Sequence, residues 1–189
     1  MATQDARDRV ITAASSEFAQ YGIAGARVDR IAKAARTSKE RVYAYFRSKE
    51  EIYDAVVSQE LATALNAIEL DPHDLPAYAG QLFDYASTYA ERRRLVAWGR
   101  LELPPEALDA DVITSKIELI RKAQRAGDLD PAWNPADVLA IVQQIAHTWV
   151  DQPEMTPVVR RLGIDPDDDE RRAAVVRAVR QLFPPSNRG

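Results

Sequence analysis

No stretch of this chain alternates apolar and polar residues as a half-buried strand must; its apolar residues recur at three- and four-residue spacing. That restricts the 189 residues to an all-α fold. The first predicted helix runs from Ala6 to Tyr21, with Val10, Ile11, Ala14 and Phe18 on one stripe and Gly22 as its stop. A short second helix covers Val28 to Ala34. After a break at Arg36-Thr37, a third covers Ser38 to Phe46, with either Thr37 or Ser38 placed to cap it. Ser48-x-x-Glu51 opens a fourth helix that continues to about Leu70.

Beyond Pro76 the helices lengthen. The spacing predicts helices over Ala77 to Glu91, through Leu95 and Trp98 to a stop at Pro104-Pro105, and over Glu106 to Ala126 before Gly127. Asn134-Pro135, a cap residue followed by proline in the first turn, begins another that reaches Asp151. The prolines at 153 and 157 and Gly163 read as a loop. A last helix covers Asp167 to Phe183, followed by a loose tail.

Composition narrows the chemistry. Without cysteine, a disulfide framework, a Cys–Zn site and a Cys nucleophile are excluded. The two histidines, His73 and His147, leave little for a His-rich metal site or a Ser-His-Asp triad. No apolar run approaches the ~20 residues of a membrane span, and the polar start Met1-Ala2-Thr3-Gln4-Asp5 lacks a signal peptide's apolar stretch. The expectation is a cytoplasmic protein.

Charge is distributed unevenly. Residues 1–49 carry 10 Lys/Arg against 5 Asp/Glu, a balance of +5; the remainder carries 15 against 24, a balance of −9. A basic N-terminal segment on an acidic body suits contact with a polyanion. Residues 28–46 have the form of a helix-turn-helix, whose second helix lies in the DNA major groove. Here that helix begins Ser38-Lys39-Glu40-Arg41. Lys39 and Arg41 supply positive charge, Tyr43 and Tyr45 supply hydroxyls and rings, and Lys49 stands at the start of the next helix. A plain helical hairpin with solvated charges and core tyrosines is the competing interpretation.

These positions resemble the tetracycline-repressor (TetR) family of bacterial transcriptional regulators. Arg9-x-Ile11-x-x-Ala14 and Phe18-x-x-x-Gly22 are similar to its first helix, and Val28-x-x-Ile31-Ala32-x-x-Ala35 to its second. Ser38-x-x-x-Val42-Tyr43-x-Tyr45-Phe46-x-Ser48-Lys49-Glu50-x-Ile52 resembles its recognition helix and the residues that lead into the fourth. The resemblance implies that Ser38, Lys39, Tyr43 and Tyr45 face double-stranded DNA and that Lys49 grips a phosphate. The chain departs from the pattern at three places. Arg36 and Thr37 stand where the family has glycine and an apolar residue, so Arg36 must turn without glycine's freedom while adding a cation. Ala26 stands where the family has a threonine before the second helix, leaving Arg27 to take over that cap contact. Ala44 puts no large side chain between the tyrosines.

The resemblance also implies a division into residues 1–49, a helix-turn-helix DNA-binding domain, and residues 50–189, a helical ligand-binding and dimerisation domain. The helices at 135–151 and 167–183 would pair two subunits, with Val142, Ile145, Trp149, Val175, Val179 and Leu182 as candidates for the homodimer interface. An internal core position is the competing interpretation for each. Tyr85, Tyr89 and Trp98 put hydroxyl and indole donors on apolar helices, and with His147 they are the candidates for a site taking a small, largely apolar effector. They serve equally as ordinary core. The acidic run Asp165, Asp167, Asp168, Asp169 and Glu170 is either a cation-binding cluster of a small all-helical enzyme or a helix start; its position favours the helix start. No catalytic residue, metal site or cofactor is expected. The combined expectation is a ligand-responsive repressor that binds a palindromic operator as a homodimer; an activator or ligand-independent regulator is the alternative.

Overall fold

The computed structural model describes residues 2–102 and 110–184, which are all-α: ten helices and no strand among the described residues. The stop at Pro104-Pro105, the helix start at Glu106 and the tail from 185 lie outside them. By packing, the chain forms two units. One comprises residues 1–65 with 89–110, the other 66–88 with 111–189. This division falls elsewhere than 49/50. All but the last two residues of α4 (Lys49–Ala67), together with α6 (Ala90–Glu102), belong with the N-terminal helices.

In the N-terminal unit, α1 (Ala2–Gly25) carries Val10, Ile11, Ala14 and Phe18 inward. They meet Ile31 of α2 (Val28–Ala34), Val42 of α3 (Lys39–Tyr45), Phe46, Ile52, Tyr53 and Val56 of α4, and Leu95 of α6. Phe18 and Tyr53 meet edge to face with centroids 5.0 Å apart. Gly22 does not end α1 but interrupts it, with φ 62° and ψ −179°. Only glycine holds that conformation comfortably, and the Trp98 indole lies 3.3 Å from where a Cβ would stand.

In the C-terminal unit, α5 (Leu75–Thr88) packs against both α8 (Pro135–Asp151) and α10 (Asp168–Leu182). Leu75, Tyr78, Ala79 and Phe83 of α5 join Ile120 of α7 (Ala110–Arg125), Val138, Leu139 and Val142 of α8, and Val175 and Val179 of α10 in one core. Gly80 lets α10 approach closely: a Cβ there would stand 2.8 Å from an Arg172 nitrogen. The Arg172 Nε donates to both Asp84 carboxylate oxygens at 2.9 Å, tying α10 to α5.

Two expectations need correction. The stretch after Asp151 is not a loop, because it contains α9 (Met155–Leu162). Pro157 falls in that helix's first turn, where backbone N–H groups have no partner within the helix and proline forfeits nothing. Gly163 ends α9 with φ 69°. The second correction concerns the face offered to a second subunit. Val142, Val175 and Val179 are buried in the chain's own core and present no surface, whereas Ile145 and Trp149 are half-buried and Leu182 is exposed. The acidic run starts a helix. Asp167 caps α10 by accepting from the Glu170 N–H at 2.8 Å, and Glu170 accepts from the Asp167 N–H at 3.1 Å. Asp165 pairs with Arg171 at 2.6 Å. No grouping of three or more metal-ligating side chains occurs among the described residues.

Candidate nucleic-acid interface

α3 is amphipathic within seven residues. Val42 faces the core and Tyr45 packs against it half-buried, whereas Lys39, Glu40, Arg41, Tyr43 and Ala44 are exposed. Of the two residues placed to cap it, the structure uses Ser38, whose Oγ accepts from the Arg41 N–H at 3.2 Å. α4 follows at once. Ser48 Oγ accepts from the Glu51 N–H at 3.1 Å, and Glu51 accepts from the Arg47 N–H at 2.6 Å. Two consecutive capped starts hold the α3–α4 corner.

The turn before α3 is closed by a left-handed residue. The Thr37 N–H donates to the Ala32 carbonyl at 3.0 Å and the Arg36 N–H to the Lys33 carbonyl at 3.2 Å. Arg36 therefore adopts φ 53°, a region that favours glycine. Its side chain is exposed, as are those of Arg27 and Lys33, and Lys33 is a cation beyond the contacts expected.

The start of α2 is held differently from the expectation. Arg27 occupies the cap position, but its side chain makes no cap bond. Instead Glu17 of α1, only 9% exposed, accepts from the Arg27 N–H at 2.9 Å and from the Arg30 Nε at 2.7 Å. Arg30 also donates to the Gly25 carbonyl at 2.9 Å and lies 4.2 Å from the Tyr21 ring centre. Glu17 was not singled out from the sequence. The signal was present: with Val10, Ala13, Ala14 and Phe18, position 17 falls on the inward stripe of α1, where a carboxylate needs partners.

Two expected DNA contacts are engaged within the chain. The Lys39 ammonium stands 3.0 Å from the Asp29 carboxylate, whose hydrogen bond raises the Lys39 pKa above the ordinary lysine value. The Lys49 Nζ lies 3.5 and 3.4 Å from the Ala24 and Ala26 carbonyls. Glu40 is held below the usual carboxylate range by its own backbone N–H and the Ser38 hydroxyl, so it stays anionic beside Lys39. The exposed cations Arg27, Lys39 and Arg41 with the Tyr43 hydroxyl make a surface suited to phosphates and base edges.

The ligand-site candidates divide between the units. Trp98 packs on Gly22 and, like Tyr89, belongs to the N-terminal unit; half-buried Tyr85 and His147 belong to the C-terminal one. Trp149 lies beneath the Arg171 guanidinium at 4.5 Å, beside an open groove of about 490 Å³. No described helix is long and apolar enough to cross a membrane.

Comparison with known proteins agrees with this geometry. Residues 10–56 match the family model "Bacterial regulatory proteins, tetR family", and residues 74–181 match "Tetracyclin repressor-like, C-terminal domain". The chain is 32% identical over 179 residues to the HTH-type transcriptional repressor SCO4008 of Streptomyces coelicolor, covering 92% of this chain and 93% of that protein. The crystal structure of SCO4942 from Streptomyces coelicolor superposes with a TM-score of 0.85 at 54% identity, over 94% of this chain and 98% of that one. SmeT, the repressor of the Stenotrophomonas maltophilia multidrug efflux pump SmeDEF, shares the fold with a TM-score of 0.65 at 18% identity, over 97% of this chain and 94% of its own.

Proposed function

The chain belongs to the TetR family of transcriptional regulators, and from that premise we propose that it is a repressor that binds a palindromic operator as a homodimer and releases it when a small, largely apolar effector occupies residues 50–189. The observation that carries the reading is α3, which buries Val42 and turns Lys39, Arg41 and Tyr43 outward. A C2 dimer would present two such helices to successive major grooves, roughly 34 Å apart. Residues 1–49 do the DNA binding, with Arg27, Ser38, Lys39, Arg41, Tyr43, Tyr45 and Lys49 as contacts. For Lys49 this requires the ammonium to leave the Ala24 and Ala26 carbonyls for a phosphate. Ile145, Trp149 and Leu182 are the surface candidates for subunit pairing. The effector acts by population shift, favouring a state in which the two recognition helices are wrongly spaced. The protein works in the cytoplasm and performs no catalysis.

Selection of fragments from the source genome by the purified full chain tests this reading. The expected outcome is a shared inverted repeat, bound with an affinity that falls steeply with salt. Lys49→Ala should weaken binding to every sequence alike, while Arg41→Ala should also change sequence preference. Absence of duplex binding at low salt overturns the reading.

A further inference from the structure

Lys116 of α7 is 7% exposed, and its surroundings are unusual for a lysine. The Nζ donates to the Ile68 carbonyl at 3.2 Å and to the Tyr78 hydroxyl at 3.1 Å. It lies 5.2 Å from the centre of the Tyr78 ring. All these partners are neutral, and no carboxylate pairs with Lys116 among the described residues. An ammonium removed from water without a counter-charge is costly, and carbonyl and hydroxyl dipoles recover only part of that cost.

Donor capacity is also left over. An ammonium has three N–H donors, and two are used. The Tyr78 hydroxyl accepts from Lys116, and its own proton meets no acceptor among the described residues. One N–H and one O–H, on atoms 3.1 Å apart, therefore stand side by side with no acceptor among the described residues. Two adjacent donors of this kind, one of them cationic, match the two oxygens of a carboxylate. The side chains of the surrounding core are apolar. Ile113, Ile117 and Ile120 share the inward stripe of α7 with Lys116, and Phe83 of α5 is buried in the same core as Tyr78. Ile68 belongs to the non-helical connection after α4, so an incoming oxygen can replace its carbonyl on Nζ without breaking a helix.

We infer that Lys116 and Tyr78 form the polar end of the effector site and that the effector is an apolar carboxylic acid bound as its anion. This rests on the effector-responsive reading above and adds one negative charge to an otherwise apolar ligand.

The test uses the full chain and matched pairs: octanoate with octanamide, phenylacetate with phenylacetamide, and indole-3-acetate with its amide. At least one acid should raise the melting temperature and weaken operator binding, since linkage makes these reciprocal. Its amide should bind about tenfold more weakly or worse, the scale of a lost charged hydrogen bond. Lys116→Met should bring acid and amide to equal affinity and melt no lower than the native chain, because it removes an uncompensated charge. Tyr78→Phe, which keeps the ring, should weaken the acid several-fold and leave the amide less affected. Equal binding of acid and amide to the native chain overturns the assignment, as does an acid preference that survives Lys116→Met. Tighter binding of octyl phosphate than of octanoate rejects the carboxylate. Release of the operator by an uncharged compound alone would retain the effector reading and reject this one. Failure to bind any operator would reject the effector reading itself.

Discussion

Among the described residues, each unit buries one charged side chain on an apolar helix stripe, and the two are treated in opposite ways. Glu17 in the N-terminal unit meets a guanidinium and a backbone N–H. Among the described residues, Lys116 in the C-terminal unit meets a carbonyl, a hydroxyl and an aromatic ring but no carboxylate. The lesson is that the fold supplies Glu17 with its own partners, while it leaves Lys116 with donor capacity to spare.

The sharpest way to break the contrast is to remove Glu17. Glu17→Ala leaves the Arg27 N–H and the Arg30 guanidinium without their acceptor and should destabilise the chain by about 2 kcal/mol, read from denaturant unfolding. Arg30 is 41% exposed, so water recovers part of its loss, which keeps the effect below that of a fully buried pair. A Glu17→Ala chain that melts no lower than the native one, as expected for Lys116→Met, would erase the distinction between the two sites.

Gly22→Ala comes next, at about 1.5 kcal/mol, because the left-handed backbone disfavours a Cβ. The Trp98 indole, 3.3 Å from that Cβ, must also yield. Thermal unfolding with Trp98 fluorescence as the probe should report both the lower midpoint and a changed indole environment. Gly127, also left-handed at φ 78°, has nothing near its absent Cβ and is the matched control.

A smaller effect of opposite sign is expected at Arg36. The turns after α2, α7 and α9 share one hydrogen-bond pattern, closed by Arg36, Gly127 and Gly163. Arg36→Gly relieves about 1 kcal/mol of left-handed strain but gains entropy in the unfolded chain, leaving about 0.5 kcal/mol of net stabilisation. The variant should melt higher and bind DNA more weakly. Weaker binding without added stability would mean that the turn holds no strain.

The smallest effect concerns Asp54, whose carboxyl is raised above its ordinary value by burial and by Glu50 and Glu51. A folded-state pKa above the unfolded one means that the ionised form is disfavoured by folding near neutral pH. Asp54→Asn should therefore stabilise the chain slightly at pH 7. That advantage should shrink as pH falls through the carboxylate range and Asp54 takes up its proton in the native chain.

Much of the N-terminal unit was legible because its signals are local. Ser38 and Ser48 cap where cap residues are expected, and Val42 and Phe46 face inward at four-residue spacing. What escaped depends on contacts between helices. Glu17 and Lys116 sit on inward stripes, but their partners lie on other elements, so periodicity shows the anomaly without its resolution. The α9 helix is hidden in the sequence because its proline signals a break, although in a first turn proline breaks nothing. Val142, Val175 and Val179 were candidates for a second subunit because periodicity marks an apolar face without saying which neighbour covers it. α5 covers it here.

The pairing of Lys39 with Asp29 across 3.0 Å has a consequence for counterion accounting. A free surface lysine that meets a phosphate lets a condensed cation escape the duplex, and the entropy of that escape drives association. In the proposed complex, Lys39 exchanges a tethered carboxylate for the phosphate. The duplex loses one cation while Asp29 becomes able to attract one. Net ion release at this position approaches zero, so the ions released on association should number fewer than the phosphates gripped. Affinity contributed by Lys39 would then persist at ionic strengths that weaken the other contacts.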